Sequence, residues 1–391
     1  MTMFKHISRI VNVAAALLCL SCTRAQDSIP VITWGGVPAE CSEEVFPILK
    51  ECGIDAHLGF YKTDAEALKA LDIANKNELK LIPGLPALRD SAQRSASRLK
   101  GHPALLAWNI KDEPEIWDFH WITQLVNLMK ELDPVHPSYV NLYPNWAWDE
   151  NLYAERIENF ASEVDLPFYS FDQYPITENE DGNLSIREGW YRNLEEFSEM
   201  ARRHNKPFWA FALTTSHHIG APSPEAFYPV PGIGQLRLQV FSNLLYGAQA
   251  IQYFTAKGLY DTDNHCRTSV FGIVKQVNEE IRAYSPVFLG CKVSDVQHIG
   301  CTIPKGTKSF TLKDHKFIKK LEISGEGGVV SFLNNGGREY VAIQNRDCVN
   351  PALLEIGFSM NVRRITPEGS LRFDGKAIKM EPGDMVVFKI N

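Results

Sequence analysis

Short apolar runs and longer amphipathic stretches alternate along residues 29–284. A compact apolar run of about four to eight residues marks a buried strand, and apolar positions at i, i+3, i+4 mark a half-buried helix. Residues 29–34 are the first such run, closed by Gly35-Gly36; residues 42–52 follow, with Val45, Ile48 and Leu49 on one helical face. Strands are expected at 29–34, 55–61, 79–82, 105–110, 138–142, 168–174, 207–213 and 250–254. Helices are expected at 42–52, 64–77 (capped by Thr63), 90–99, 118–132, 150–164, 186–204, 236–245 and 274–284. Eight strand–helix pairs over roughly 260 residues match a (β/α)8 TIM barrel, an α/β fold. An open doubly wound sheet usually carries a Gly-rich phosphate turn after its first strand, and Gly35-Gly36-Val37-Pro38 is a poor version of one.

From about residue 290 the period changes. Apolar runs at 329–333, 340–343, 353–358, 362–365 and 385–390 are separated by turns such as Asn334-Asn335-Gly336-Gly337. They predict a small antiparallel β-sandwich. The expected organisation is a signal segment over 1–25, the barrel over 26–289 and the sandwich over 290–391.

Barrel enzymes build their active sites at the C-terminal ends of the strands. The fourth strand ends in Lys111-Asp112-Glu113-Pro114, which brings two carboxylates to its tip just before a helix. A solvated strand end with a helix-capping Asp has the same composition, so the other strand ends decide its meaning. They add Trp34, His57, Tyr143, Trp146, Trp148, Asp172, Tyr174, His217 and Gln252. A sugar needs this mixture, because its C–H faces stack on rings and its hydroxyls need convergent donors and acceptors. Trp146 and Trp148 sit in a turn-rich stretch where a core role is hard to arrange. Adjacent residues such as His217 and His218 rarely both point at one ion, so no metal or other cofactor is expected.

The 391 residues are 45% hydrophobic and 22% charged, which suits a globular protein. A net charge of -7 argues against nucleic acid or an anionic membrane surface as partner. At the N-terminus Lys5 and Arg9 precede an apolar run over 10–20, too short to span a bilayer, in the pattern of an export signal. Thr23-Arg24-Ala25 offers one cleavage site. Leu20-Ser21-Cys22 resembles a bacterial lipobox, with Cys22 lipidated, although Cys19 stands where Leu is preferred. Either cleavage starts the mature chain between Cys22 and Gln26 and places it outside the cytoplasm, in the periplasm or anchored to the outer membrane through Cys22. Cys41, Cys52, Cys266, Cys291, Cys301 and Cys348 fit no zinc spacing; Cys291 with Cys301 is a candidate pair, and free thiols are the alternative.

With these residues in place, the chain resembles the large clan of retaining glycoside hydrolases on (β/α)8 barrels, especially its β-galactosidase-like and mannanase-like members. Such enzymes often carry a C-terminal β-sandwich. In motif the likeness is confined to two stretches. One is the lead-in His102-Pro103 through Trp108 with Asp112-Glu113-Pro114; the other is Phe168-Tyr169-Ser170-Phe171-Asp172-Gln173-Tyr174-Pro175. The resemblance implies hydrolysis of glycosidic bonds in a poly- or oligosaccharide, with Glu113 as acid/base and Asp112 where the clan usually has Asn. The clan's nucleophile, a Glu ending the seventh strand, has no counterpart between Phe208 and Ser216. Inverting hydrolysis needs carboxyls about 6.5–9.5 Å apart and retaining hydrolysis about 5–5.5 Å. Three versions follow: an inverting enzyme with Glu113 as acid and Asp172 as wider-spaced base, a retaining enzyme using Glu225 from the next loop, or an inactive surface barrel that binds glycans. A barrel lyase using His57, Tyr174 or His217 as base is a further reading. Substrate binding is assigned to Trp34, His57, Lys111, Asp112, Tyr143, Trp146, Tyr174, His217 and Gln252. The sugar, its linkage and the oligomeric state are not fixed by these residues.

Overall fold

The computed structural model describes residues 27–218 and 227–390. Segment 1–26, on which the expected export signal and Cys22 fall, and segment 219–226, with Glu225, lie outside the described residues. Eight parallel strands close into a barrel. In chain order they are β1 (Val31–Trp34), β2 (Ala56–Phe60), β3 (Lys80–Gly84), β4 (Trp108–Asp112), β5 (Ser138–Leu142) and β6 (Tyr169–Phe171). After the hairpin β7 (Ile176–Glu178) and β8 (Leu184–Ile186) comes β9 (Phe208–Leu213). After β10 (His217–His218) and β11 (Phe227–Tyr228) comes β12 (Ala250–Phe254). The helices around them are α1 (Ser42–Glu51), α2 (Asp64–Lys76), α3 (Leu88–Leu99), α4 (Phe119–Leu132), α5 (Tyr153–Glu163), α6 (Trp190–Arg203), α7 (Ile233–Leu245) and α8 (Phe271–Phe288). A small hairpin, β13 (Tyr260–Asp261) with β14 (Cys266–Arg267), precedes α8.

Strand parity divides the side chains between two cores. Inward positions such as Ile32, Leu58, Ile82, Tyr139 and Trp209 fill the barrel, with Phe168 stacked on Trp209 at 3.8 Å. Outward positions such as Val31, Leu81, Trp108 and Val140 pack under the helices. The helices present matching apolar stripes: α2, started by the Thr63 hydroxyl accepting the Glu66 N–H at 3.2 Å, buries Ala67, Ala70, Leu71 and Ala74.

The sandwich opposes two antiparallel sheets. The larger holds β15 (Lys292–Ile299), β17 (Gly328–Asn335), β18 (Arg338–Asn345), β20 (Val362–Thr366), β21 (Gly369–Arg372) and β23 (Met385–Ile390). The smaller holds β16 (Ile318–Ile323), β19 (Ala352–Phe358) and β22 (Ile378–Met380). Alternation sends Val330, Phe332, Val341, Ile343 and Phe388 into the sandwich core. Val329, Leu333, Ala342 and Val387, on the opposite face, join the core of the barrel helices. Helix α7 lies between the domains. The Ser242 hydroxyl donates to Gln344 Oε1 at 2.6 Å, and Gln344 Nε2 donates to the carbonyls of Leu238 and Gly383 at 3.1 and 3.0 Å. Gly234 permits this approach, since a Cβ there would stand 2.3 Å from the Cys348 carbonyl oxygen. The six described cysteines are free, so Cys291 and Cys301 are not bridged.

Candidate active site

The site is set by a β-bulge. Strand β4 pairs with β5 as Trp108↔Ser138 and Asn109↔Tyr139, then skips one residue to Lys111↔Val140 and Asp112↔Asn141. Ile110 is the extra residue, and one extra residue reverses which face the following side chains take. Lys111 therefore shares the outward face with Val140, while Asp112 turns inward beside Asn141. Glu113 follows with φ +48° in the left-handed region, its N–H donating to the Asn141 carbonyl at 2.8 Å. A non-glycine residue held there is strained, and such strain persists where the surroundings over-determine the fold.

Asn141 organises the floor. Its Nδ2 donates to Asp112 Oδ1 at 3.1 Å and to Asp172 Oδ1 at 2.8 Å. Its Oδ1 accepts the Ser170 hydroxyl at 2.9 Å, and Ser170 in turn accepts Gln252 Nε2 at 2.8 Å. Gln252 Oε1 accepts the Tyr139 hydroxyl at 2.8 Å. A chain of hydrogen bonds across the barrel interior thus fixes the amide and, through it, both carboxylates.

Above this floor lies a cavity of about 220 Å³ lined by Trp34, Asp112, Glu113, Asn141, Trp146, Asp172, Tyr174, Phe211, His217 and Phe254. Its aromatic wall is continuous: Trp34 and Tyr174 pack on Phe254 at 5.4 and 5.6 Å, and His217 stacks on Tyr228 at 4.7 Å. Among the described residues, Trp34 Nε1, Trp146 Nε1 and His217 Nδ1 are buried without a partner. Arg187 lies over the Trp146 ring at 4.6 Å and donates to the Tyr228 hydroxyl at 2.8 Å.

The carboxylates perturb one another. Burial, and then the Asp112 charge, push the Glu113 carboxyl up to about 7, against the Lys111 charge and a hydrogen bond with Asp172. Burial, then the charges of Glu113 and Asp112, hold Asp172 well above the usual carboxylate range. Burial also raises Asp112, opposed by the Asn141 donor and Lys111. Each carboxyl's charge disfavours ionisation of the other, so both stand above the usual carboxylate range. Burial lowers His217, leaving it neutral, and raises the Tyr174 phenol well above its ordinary value.

Of the expected site residues, Trp34, Asp112, Glu113, Trp146, Asp172, Tyr174 and His217 converge on the cavity. His57 does not: it pairs in register with Thr33 on the outward face, bonds to the Thr33 hydroxyl at 2.9 Å and packs on Phe46. Gln252 is fully buried, one layer beneath the floor, and serves as its support. Lys111 is turned away by the bulge and acts on the carboxylates only through its charge. Tyr143 packs on Trp148 at 5.6 Å, beside the cavity and not on its lining. Trp148 is buried in the core with Phe119 and Tyr153, contrary to the rim position expected. Asp172 lines the same cavity as Glu113, and each carboxyl perturbs the other. His217 and His218 diverge, one stacking on Tyr228 and the other packing on Phe227. Among the described residues no group of three or more His, Cys, Asp or Glu is placed to hold a metal ion. The site-residue assignment omitted Asn141, Phe211 and Phe254, all inward positions at strand ends.

No protein-family model matches the sequence, and no curated protein matches it. Solved structures do. An α-glucosyl transfer enzyme, XgtA, is 7% identical, covering 94% of this chain and 99% of its own, with a TM-score of 0.51. The Pseudomonas stutzeri endoglucanase Cel5A is 16% identical over 60% of this chain and 84% of its own, with a TM-score of 0.41. A Thermobacillus composti GH10 xylanase is 11% identical over 66% of this chain and 99% of its own, also at 0.41. At such identities the likeness is one of fold. The chain is a (β/α)8 barrel with a C-terminal antiparallel β domain, similar in fold to the α-glucosyl transfer enzyme XgtA.

Proposed function

We propose that this protein is an exported glycoside hydrolase with Glu113 as its general acid. The observation that carries this is the Glu113 carboxyl, raised to about 7 at the tip of β4 in a cavity of aromatic rings and further carboxyls. A carboxylic acid poised near neutrality can protonate a glycosidic oxygen as the C–O bond breaks. The positive charge that develops on the sugar is met by Asp112 on the floor, whose anionic form Asn141 favours. Water then attacks the sugar and returns a proton to Glu113. The cavity, about 220 Å³, is smaller than the roughly 300–1,000 Å³ typical of drug-sized ligands, which favours one terminal sugar ring over a chain threaded through. Of the bases in the lyase reading, His57 is outside the cavity and the Tyr174 phenol is held protonated, which leaves His217 alone on the lining.

Release of reducing sugar from plant, algal and host glycans by the wild type and by Glu113→Gln tests the proposal. Activity is expected to fall by at least about 100-fold in the variant. Undiminished activity would remove Glu113 from the chemistry. A second reading, an inactive glycan binder, draws on the β9 end, where residues 213–216 carry no carboxylate. Glycan binding without release from any substrate would favour it. Export and a lipid on Cys22 belong to the same proposal. Mass spectrometry of the mature N-terminus distinguishes a diacylated Cys22 from a chain beginning at Gln26.

A further inference from the structure

A second cavity, of about 880 Å³, lies between the two domains. Residues 182–188 of the β7–β8 hairpin and its exit line one side; residues 302–305 and 346–350 of the sandwich line the other. On its wall stands Arg346, only 6% exposed. Its Nη2 donates to the carbonyl oxygens of Thr302, at 2.6 Å, and Glu326, while its buried Nε has no partner among the described residues. Among the described residues no carboxylate pairs with this guanidinium. Burial lowers its pKa, opposed by the nearby Tyr191 and Glu326. A cation buried to this degree without a paired carboxylate favours an anion beside it.

The rest of the lining defines what kind of anion. Lys305 adds a second cation. Asp347 is committed to its own turn, accepting the N–H groups of Val349 and Asn350 at 2.8 Å. Glu188 and Glu326 are exposed, and both line the cavity. They offer acceptors to hydroxyls and repel a second negative charge, so an evenly charged polyanion does not fit. Arg187 lines this cavity and also covers Trp146 of the catalytic one, so the two sites share a wall.

We propose that the interdomain cavity is a subsite for a sugar unit bearing one anionic group, a carboxylate or a sulfate, which Arg346 and Lys305 engage. The inference rests on the reading that the protein acts on glycans, and it narrows the substrate to acidic, sparsely charged ones.

Calorimetric titration of the full chain carrying Glu113→Gln, in which hydrolysis is blocked, tests it. The probes are cellobiose, the same disaccharide with one glucuronic acid, and the same disaccharide with one 6-sulfate. At least one charged probe is expected to bind about tenfold or more tighter than cellobiose, and the tighter of the two identifies the group. Adding Arg346→Gln is expected to abolish that preference. Adding Asn183→Trp, at the exposed hairpin tip, fills the cavity without disturbing a buried bond and is expected to do the same; it decides the matter if the arginine variant fails to fold. Equal binding of all three probes, or a preference that survives both variants, would overturn the subsite and leave the hydrolase reading standing. Binding of no saccharide at all would overturn both.

Discussion

At the residue scale the central quantity is the Glu113 proton. A general acid works only while protonated, so kcat/KM is expected to be lost as pH rises through about 7. Asp112→Asn removes a charge that raises this carboxyl, and the basic limb is expected to move to lower pH. Lys111→Met removes a charge that lowers it, and the limb is expected to move up with KM unchanged, because the bulge keeps Lys111 off the cavity. A KM rise in the lysine variant would place that side chain on the substrate instead. The same shift is a statement about stability. Glu113 binds its proton more tightly folded than unfolded, so stability falls as pH rises from the unfolded carboxyl's range, near 4.5, through about 7. Glu113→Gln is therefore expected to be inactive yet more stable at pH 8, by about 1–3 kcal/mol, with the gain vanishing near pH 4. Urea denaturation of both proteins at the two pH values checks this. The acidic tip of β4 was legible from sequence because strand ends carry barrel chemistry. The exclusion of Lys111 and His57 was not: which face a residue takes depends on a one-residue bulge and on register, and neither leaves a mark in composition.

At the element scale, β5 and β12 matched their expected bounds although Asn141 and Gln252 interrupt their apolar runs, because apolar residues stand on both sides of each amide. The strands missed or misjudged are short or lack a clean alternation. Strand β15 buries Gln297 and His298, where the Tyr246 hydroxyl meets His298 at 2.9 Å, and so shows no clean alternation. The β7–β8 hairpin is three residues a side, and its Ile186 passed for the first residue of a helix. Buried polar residues also hold the domains together. Gln344 is fully buried and serves Ser242 and the carbonyls of Leu238 and Gly383 together. Gln344→Leu strands the hydroxyl and a loop carbonyl in a dry interface and is expected to lower unfolding stability by about 2–4 kcal/mol. A change below about 0.5 kcal/mol would mean that the interface relaxes around the loss.

At the scale of the whole molecule, the change of hydrophobic period near residue 290 separates two folds and conceals that they share one core. Val329, Leu333, Ala342 and Val387 of the sandwich belong to the same buried cluster as Leu236, Val240 and Leu244 of α7. Ser331 extends the contact by donating to the Leu245 carbonyl at 2.7 Å, at the end of that helix. Removing the sandwich would uncover an apolar helix face and leave Ser242 and the helix end without partners. An exposed patch of that kind favours association over solubility. A chain of residues 27–289 is therefore expected to be recovered mainly as aggregate, while the same barrel with its sandwich stays soluble; centrifugation and size-exclusion chromatography of the two chains compare them. The proposed catalytic groups lie on the barrel alone, but the α7 side chains that clamp the end of β9 do not stand on it alone. Gln239 accepts the Leu213 N–H at 2.8 Å and Asn243 donates to the Phe211 carbonyl at 2.9 Å. The sandwich thus steadies the wall that Phe211 gives to the cavity, and a soluble, fully active barrel without it would show that this support is dispensable.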